Sequence, residues 1–450
     1  MKKSLTEIAK SSVQWLVMIS GMLIPAIVIF LFPKFYHSSD VDDFWRWSQS
    51  WSLGWKDIYI HCDRCNYPFL GTFISGGAMS LMGVEKFKDI ITPFRYYLAV
   101  FDALSVLAIY FILTKLKIKN SPLWAGIIGL LPSSWIGSSV WGQIDGVGQL
   151  LLLAMILLFI WFNLDGKTGK VRYYIFIIAA GLLMSFMLLT KQLIMFSLLS
   201  MGFMTLVNIF FYSRKPADIV LSIFIVFIAF VGPVLWVELM VNVKEPYFSH
   251  LQYVLATGSK HGDVISSFGF NIWTFLAPDP LGSSHAPINI RLGSIFLFSI
   301  VPFAMGIILF LLSNTLLLLF YIKYFYRQCV KVTCYFNSEN ILFFILHLAL
   351  VNLSFNLFLT GTHERYLYHF YPFLIVACLG LFDRIYIYIF SAGATFYSLV
   401  LYGYLTRQNL QFGQTPFWIL GMFHIFVYFA LIILLLRYDK SHSAILRISS

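Results

Sequence analysis

From Val13 to Trp47 the chain reads VQWLVMISGMLIPAIVIFLFPKFYHSSDVDDFWRW, an apolar run that passes directly into an acidic, tryptophan-rich one. As a single helix, residues 13–32 are long enough to cross the ~30 Å of a bilayer's hydrocarbon core. Lys2, Lys3 and Lys10 precede the run and no small-residue cleavage site follows it. It therefore reads as a retained span rather than a removed signal peptide. Just beyond it lie Asp40, Asp42 and Asp43, followed by Phe44, Trp45 and Trp47. An unpaired carboxylate beside a bilayer is expensive, so this stretch asks for a use.

The rest of the chain repeats the first run. With 59% hydrophobic and 11% charged residues in a length of 450, and a mean hydropathy of +0.81, it is too apolar for a soluble fold. The reading is an all-α, polytopic membrane protein, one membrane domain over residues 1–450. About twelve apolar runs bounded by charge are expected to span, near residues 13–32, 92–114, 122–137, 146–163, 173–190, 193–212, 218–239, 296–320, 340–360, 367–382, 386–404 and 418–436. The segment 69–82 is also apolar, but it is short and carries Gly71, Gly76 and Gly77, so it is placed outside as an interfacial or re-entrant helix.

Charge orients this map. The net charge of +11 would suggest nucleic acid for a soluble chain, but here its distribution reports topology. With both termini cytoplasmic, the inner loops collect Lys115, Lys117 and Lys119, then Lys167, Lys170 and Arg172, then Lys323, Arg327 and Lys331, against few acids. The outer side is electrically balanced, as the positive-inside rule expects. Two outer loops are long, residues 33–92 with interfacial helices and residues 240–294, which places the work outside. The compact chain favours a bacterial inner membrane over an endoplasmic reticulum. Its five cysteines are too scattered for a disulfide framework, and Cys62 and Cys65 read as a local disulfide or two free thiols rather than a zinc site.

Four polar clusters stand out against this background. In the first loop Phe44, Trp47, Trp51 and Trp55 fall at helical spacing and read as headgroup anchors, while Asp40 is either a helix cap or a base. The third run ends in Trp141, Gly142, Gln143, Ile144 and Asp145, where Asp145 is again a cap or a ligand for hydroxyls. Lys191 and Gln192 form the whole connection between the fifth and sixth runs, and a lysine there either reaches headgroups or meets an anion. The last cluster is His363, Glu364, Arg365 and Tyr366, either an interfacial belt or a phosphate site built on the planar fork of arginine. No H-E-x-x-H follows His363, so no metal is expected. Asn271 and Trp273 are weaker signals, and Asp102 and His347 read as buried, hydrogen-bonded helix residues.

Taken together, Asp40 with Phe44 and Trp47, Tyr67 with Pro68, the W-G-Q-x-D of Trp141 to Asp145 and the H-E-R-Y of His363 to Tyr366 resemble the GT-C superfamily of polytopic glycosyltransferases, in particular its GPI-mannosyltransferase-like and bacterial members. The likeness extends from about residue 14 to residue 380. It departs at Pro68, which Phe69 follows where such chains often carry a second proline, and around Asn271, which matches no motif of the family. The resemblance implies transfer of a hexose, mannose favoured, from a polyprenyl-phosphate donor to an acceptor hydroxyl of a glycan, lipid or protein on the non-cytoplasmic face. It makes Asp40 the catalytic base, with Asp42 and Asp43 as rivals.

The residues suit that chemistry on their own terms. A carboxylate ionised at neutral pH can take the acceptor's proton, and Arg365, Lys191 and His363 can meet the charge that develops on a departing phosphate. Asp43, Tyr67, Trp141, Gln143, Asp145, Asn271 and Glu364 are then candidates for sugar and acceptor. No cofactor, metal or nucleic acid is expected. The competing readings are a transporter or flippase of a lipid-linked saccharide and a noncatalytic scaffold subunit. A transporter would place its charges nearer the midplane.

Overall fold

A computed structural model of the chain describes residues 5–62, 65–164, 169–213, 215–244, 249–259, 263–266, 269–277, 281–292, 295–331, 337–405 and 415–448. Helix dominates. In chain order the main elements are α1 (Leu5–Leu31), α2 (Ser38–Leu53), α3 (Phe69–Leu81), α4 (Phe87–Lys115), α5 (Ser121–Leu130), α6 (Asp145–Leu164), α7 (Lys170–Thr190), α8 (Gln192–Tyr212), α9 (Pro216–Met240), α10 (His250–Ser259), the strands β1 (Ile288–Leu292) and β2 (Ile295–Ile300), then α11 (Pro302–Lys331), α12 (Ser338–Phe358), α13 (Phe370–Leu381), α14 (Arg384–Leu405) and α15 (Thr415–Ile448). Among the described residues ten helices are long and apolar enough to cross a membrane. The chain is an all-α, integral, multi-pass membrane protein.

Two of the runs expected to span are shorter as helices. The α5 and α13 helices have 10 and 12 residues. At a rise of 1.5 Å per residue neither covers the ~30 Å of hydrocarbon alone. The α5 helix stops because Pro132 forbids helical backbone at Leu131, which is extended (φ −64°, ψ 123°). The path then continues as a 3₁₀ turn over Pro132–Ser134 and a wider turn over Ile136–Val140, where Ser138 leaves helical geometry altogether. Residues 296–300, read from the sequence as the start of a span, instead belong to β2 and pair with β1 as an antiparallel hairpin, Ile288 opposite Ile300. The span begins at Pro302, whose missing N–H and fixed φ suit the first turn of a helix.

The chain divides into two compact units. The first comprises Met1–Ser259, Tyr335–Leu346 and Tyr371–Gln408. Within it α1 and α5 cross at glycines. A Cβ on Gly126 would lie 2.5 Å from the Val17 backbone, and one on Gly21 would lie 2.6 Å from the Gly126 carbonyl. Contact this close replaces lipid with backbone on both helices, which is how small residues associate membrane helices.

The long first loop is helical and folds back on this bundle. Phe44 and Trp47 are not the headgroup anchors that their spacing suggests: each is 2% exposed, and they pack on Tyr67 and Phe94. The approach of α3 explains the change, since a Cβ on Gly76 would sit 2.6 Å from the Trp47 Cβ. The same core takes in the Cys62–Cys65 disulfide. Residues after α9 join it as well. The Asn242 N–H donates to the Lys56 carbonyl (2.8 Å), Asn242 Nδ2 donates to Asp57 (2.7 Å), and Glu238 caps α10 by accepting the His250 and Leu251 N–H groups at 2.8 and 2.9 Å.

The second unit comprises Lys260–Cys334, His347–Phe370 and Asn409–Ser450. Its loop around residue 271 is sewn to the turn after α12. The Ile272 N–H donates to the Leu357 carbonyl (3.1 Å), Trp273 Nε1 donates to the Phe358 carbonyl (2.7 Å) and the Gly361 N–H donates to the Ile265 carbonyl (3.2 Å). His347 is buried in α12 with its ring stacked on Tyr321.

The α1–α5 crossing yields a test. Gly126→Leu forces the two backbones apart and is expected to cost about 1–3 kcal/mol, as overpacking does. Thermal unfolding in detergent should show a lower Tm, whereas Leu130→Ala on the exposed side of α5 should leave it close to the parent.

Candidate functional site

Most of the sequence candidates of the first unit fall into one connected group. Its spine is the turn from Trp141 to Asp145, between the irregular segment after α5 and the start of α6. Gly142 holds φ at +92°, a left-handed backbone that L side chains avoid, and a Cβ there would lie 2.5 Å from Val41 Cγ2. Glycine thus serves twice: it makes the turn and it admits α2. The turn brings Trp141 to α2 and brings Gln143 and Asp145 to Lys191.

On one side, Trp141 Nε1 donates to Asp40 Oδ2 at 2.7 Å. The indole is fully buried, while the Asp40 side chain keeps 19% of its surface. His37 completes this edge. Its backbone N–H donates to the Trp141 carbonyl (3.1 Å), its ring stacks on the indole with centroids 4.9 Å apart, and its Nδ1 lies 3.3 Å from Asp40 Oδ2. Asp42 faces elsewhere and pairs with Arg46 at 2.8 Å on the exposed side of α2. Asp43, half-buried, lies one turn along from Asp40. Of the three acids, Asp40 is the one that receives the indole.

On the other side, Gln143 and Asp145 face Lys191. The Lys191 ammonium donates to Asp145 Oδ1 at 2.8 Å and to Gln143 Oε1 at 3.4 Å, and it sits 5.1 Å from the centre of the Tyr67 ring. Tyr67 Oη donates to the same Gln143 oxygen at 2.8 Å. All four residues are buried. Their position follows from local structure: Lys191 is the single extended residue between α7 and α8, and Gly71 packs against the Thr190 carbonyl just before it. An ammonium in such a place needs its carboxylate, because a lone buried charge costs several kcal/mol. The arrangement leaves Asp40 as the reachable carboxylate of the group and makes the Lys191 pair its buried support.

Arg95 was not singled out from the sequence, yet it anchors the whole edge. Its side chain, fully buried in α4, donates to the carbonyls of Pro33 (2.8 Å), Phe35 (2.7 Å) and Ser139 (3.4 Å). One guanidinium thereby ties the segment leading to Asp40 to the turn leading to Trp141. Only its presence inside an apolar run hinted at a role. Asp102, two turns further along the same face of α4, accepts the Ser139 N–H at 3.3 Å and so braces the same turn, a buried, hydrogen-bonded helix residue as the sequence suggested.

The second unit holds the remaining candidates. Asn271 uses its amide internally, donating to Thr362 Oγ1 (2.7 Å) and accepting from the Thr274 N–H (3.1 Å). Gly269 packs directly against Thr362. Next to it, Arg365 donates to Glu364 Oε1 at 3.1 Å and lies over the Tyr366 ring, while His363 Nδ1 is 3.8 Å from Glu364 Oε2. Burial pushes the Glu364 pKa up, but the adjacent His363 and the Arg365 charge outweigh it and hold the group below the usual carboxylate range. Glu364 is therefore ionised at neutral pH. The structure brings His363, Glu364, Arg365 and Tyr366 into mutual contact in one unit, and Asp40, Tyr67, Trp141, Gln143, Asp145 and Lys191 into contact in the other. Among the described residues no group of three or more His, Cys, Asp or Glu side chains is placed to hold a metal ion.

No family model matches the chain, and no curated protein matches it.

Two substitutions test the spine. Gly142→Ala imposes both a left-handed alanine and a clash with Val41, and is expected to lower the Tm in detergent by an amount corresponding to about 1–3 kcal/mol. Adding Val41→Ala should return the steric part of that loss. Lys191→Met strands the Asp145 carboxylate and should cost about 3–5 kcal/mol, seen as reduced folded yield, whereas pairing it with Asp145→Asn should recover most of the yield.

Proposed function

We propose that the protein is an inverting glycosyltransferase that moves a hexose, mannose in the first instance, from a polyprenyl-phosphate donor to an acceptor hydroxyl on the non-cytoplasmic face of a membrane. The observation that carries this reading is Asp40, a carboxylate fixed by the Trp141 indole yet still reachable, at the start of a helical loop that follows the first span. Such a group can accept the acceptor's proton as the hydroxyl oxygen attacks the anomeric carbon, while the bond from that carbon to the phosphate oxygen breaks on the opposite face. The anomeric centre inverts in this one displacement. The phosphate leaves as an anion, taking the bonding electron pair with it, and that developing charge calls for a cationic side chain. Because phosphate is a good leaving group, the scheme asks for no metal. The likeness of the W-G-Q-x-D and H-E-R-Y motifs to those of GT-C enzymes supports the same assignment, as does the balance of charge that puts residues 33–92 outside and both termini inside. A bacterial inner membrane is the proposed setting.

The test compares the parent with Asp40→Asn in membranes supplied with radiolabelled polyprenyl-phosphate mannose and extracted lipid and glycan acceptors. The variant should insert normally and transfer about 10²- to 10⁴-fold more slowly, the usual range for loss of a general base. Equal transfer by both would remove Asp40 from the chemistry. Labelled lipid crossing the bilayer with no product would instead mark a transporter.

A further inference from the structure

We infer that His37 is a positioning residue for the Asp40 carboxylate, and that its imidazole N–H, not its bulk, is what the reaction uses. The inference rests on the transfer reaction proposed above. His37 occupies the N-cap position of α2, where a side chain ordinarily accepts a hydrogen bond from the first turn, but it makes no such cap. It turns forward instead, to Asp40 Oδ2 at 3.3 Å and Ser39 Oγ at 3.1 Å. With Asp40 as the ionised base of the proposed reaction, the contact is attractive only when the facing Nδ1 carries a hydrogen, and the inference assigns it there. The Trp141 indole N–H meets the same oxygen at 2.7 Å. Two donors on one oxygen, from two different segments of chain, set the plane of the carboxylate as one donor would not.

Nothing about His37 itself is loose. Its N–H is held by the Trp141 carbonyl, its carbonyl accepts the Val41 N–H at 3.3 Å, and its ring lies nearly parallel to the indole, with an interplanar angle of 18°. A ring held by its backbone and by stacking transmits that order to the carboxylate beside it. Asp40 keeps 19% of its side-chain surface and both contacts fall on its Oδ2, so losing the His37 contact weakens the hold on that oxygen. A base misplaced by about 1 Å loses on the order of a hundredfold in rate. His37 touches Asp40 and not the reacting atoms, which separates its role from that of the base.

Two variants distinguish the N–H from the bulk. His37→Leu keeps an apolar mass against Trp141 but donates nothing. His37→Asn places an amide N–H close to where Nδ1 stood but cannot stack as a ring. In the radiolabelled polyprenyl-phosphate mannose assay, His37→Leu is expected to lower kcat about ten- to hundredfold with the donor KM unchanged, and His37→Asn to recover most of it. In an Asp40→Asn background His37→Leu should cost nothing further, because the group it positions is already lost. Equal losses in the Leu and Asn variants, a full additional loss in the Asp40→Asn background, or parent-like kcat in His37→Leu would each overturn the inference while leaving the transfer reaction standing. A parent that transfers no sugar would remove the reaction and the inference together.

Discussion

The hydrogen bond from the Trp141 indole to the Asp40 carboxylate joins two segments a hundred residues apart, and the surrounding structure is arranged so that it can form. For the indole to reach α2, the chain must reverse at Gly142 with no side chain in the way. For Asp40 to wait there, the segment leaving α1 must be held, and Arg95 holds it by its carbonyls. The same guanidinium reaches Ser139, so both sides of the contact hang from one buried cation on α4. Hydrogen bonds to a charged donor are roughly twice as strong as neutral ones, which helps offset the cost of burying that cation.

Behind this edge lies a second electrostatic constraint. Lys191 and Asp145 are both buried, and neither would be tolerated alone. Gln143 and Tyr67 complete the shell by sharing one amide oxygen between the ammonium and the phenol. A pair of this kind adds little net stability compared with well-packed apolar side chains. What it does is specify register: α6, the α7–α8 connection and the first loop meet in one arrangement. Tyr59 extends that register outward, donating to the Tyr67 carbonyl at 2.7 Å and meeting His250 Nε2 at 3.1 Å. The reachable carboxylate therefore stands on buried, hydrogen-bonded neighbours, the condition under which a single base can be aimed.

The second unit shows the same economy with other residues. Asn271 and Thr362 bond to one another, and the 357–362 turn shares three further hydrogen bonds with the loop it meets, accepting two and donating one. That bracing presents Glu364 and Arg365 as an oriented ion pair rather than as two flexible side chains. Neighbours in sequence seldom pair so directly along a helix. Here the turn between α12 and α13 allows it.

Hydropathy alone settled the membrane class and the helical character, and among the described residues ten of the twelve expected runs are helices long and apolar enough to span, because burying backbone in lipid leaves few alternatives to helix. Pro132 and Pro302 carried in plain sight the reasons α5 ends early and α11 starts late. The motif from Trp141 to Asp145 was legible as a unit, but not the division of labour inside it. Whether Asp145 caps, binds or pairs depends on Lys191, which is near in space and far in sequence. Phe44 and Trp47 of α2 depart from their sequence reading for the same reason: helical spacing shows which rings share a face, but not that α3 covers that face. Arg95 and His37 carried almost no sequence signal, since one arginine in an apolar run and one histidine before an acid have many possible partners. Local pattern determines which element forms, because its forces act within a few residues. Only the tertiary structure decides which carboxylate is held and by what, because that depends on distances between segments that the order of residues does not contain.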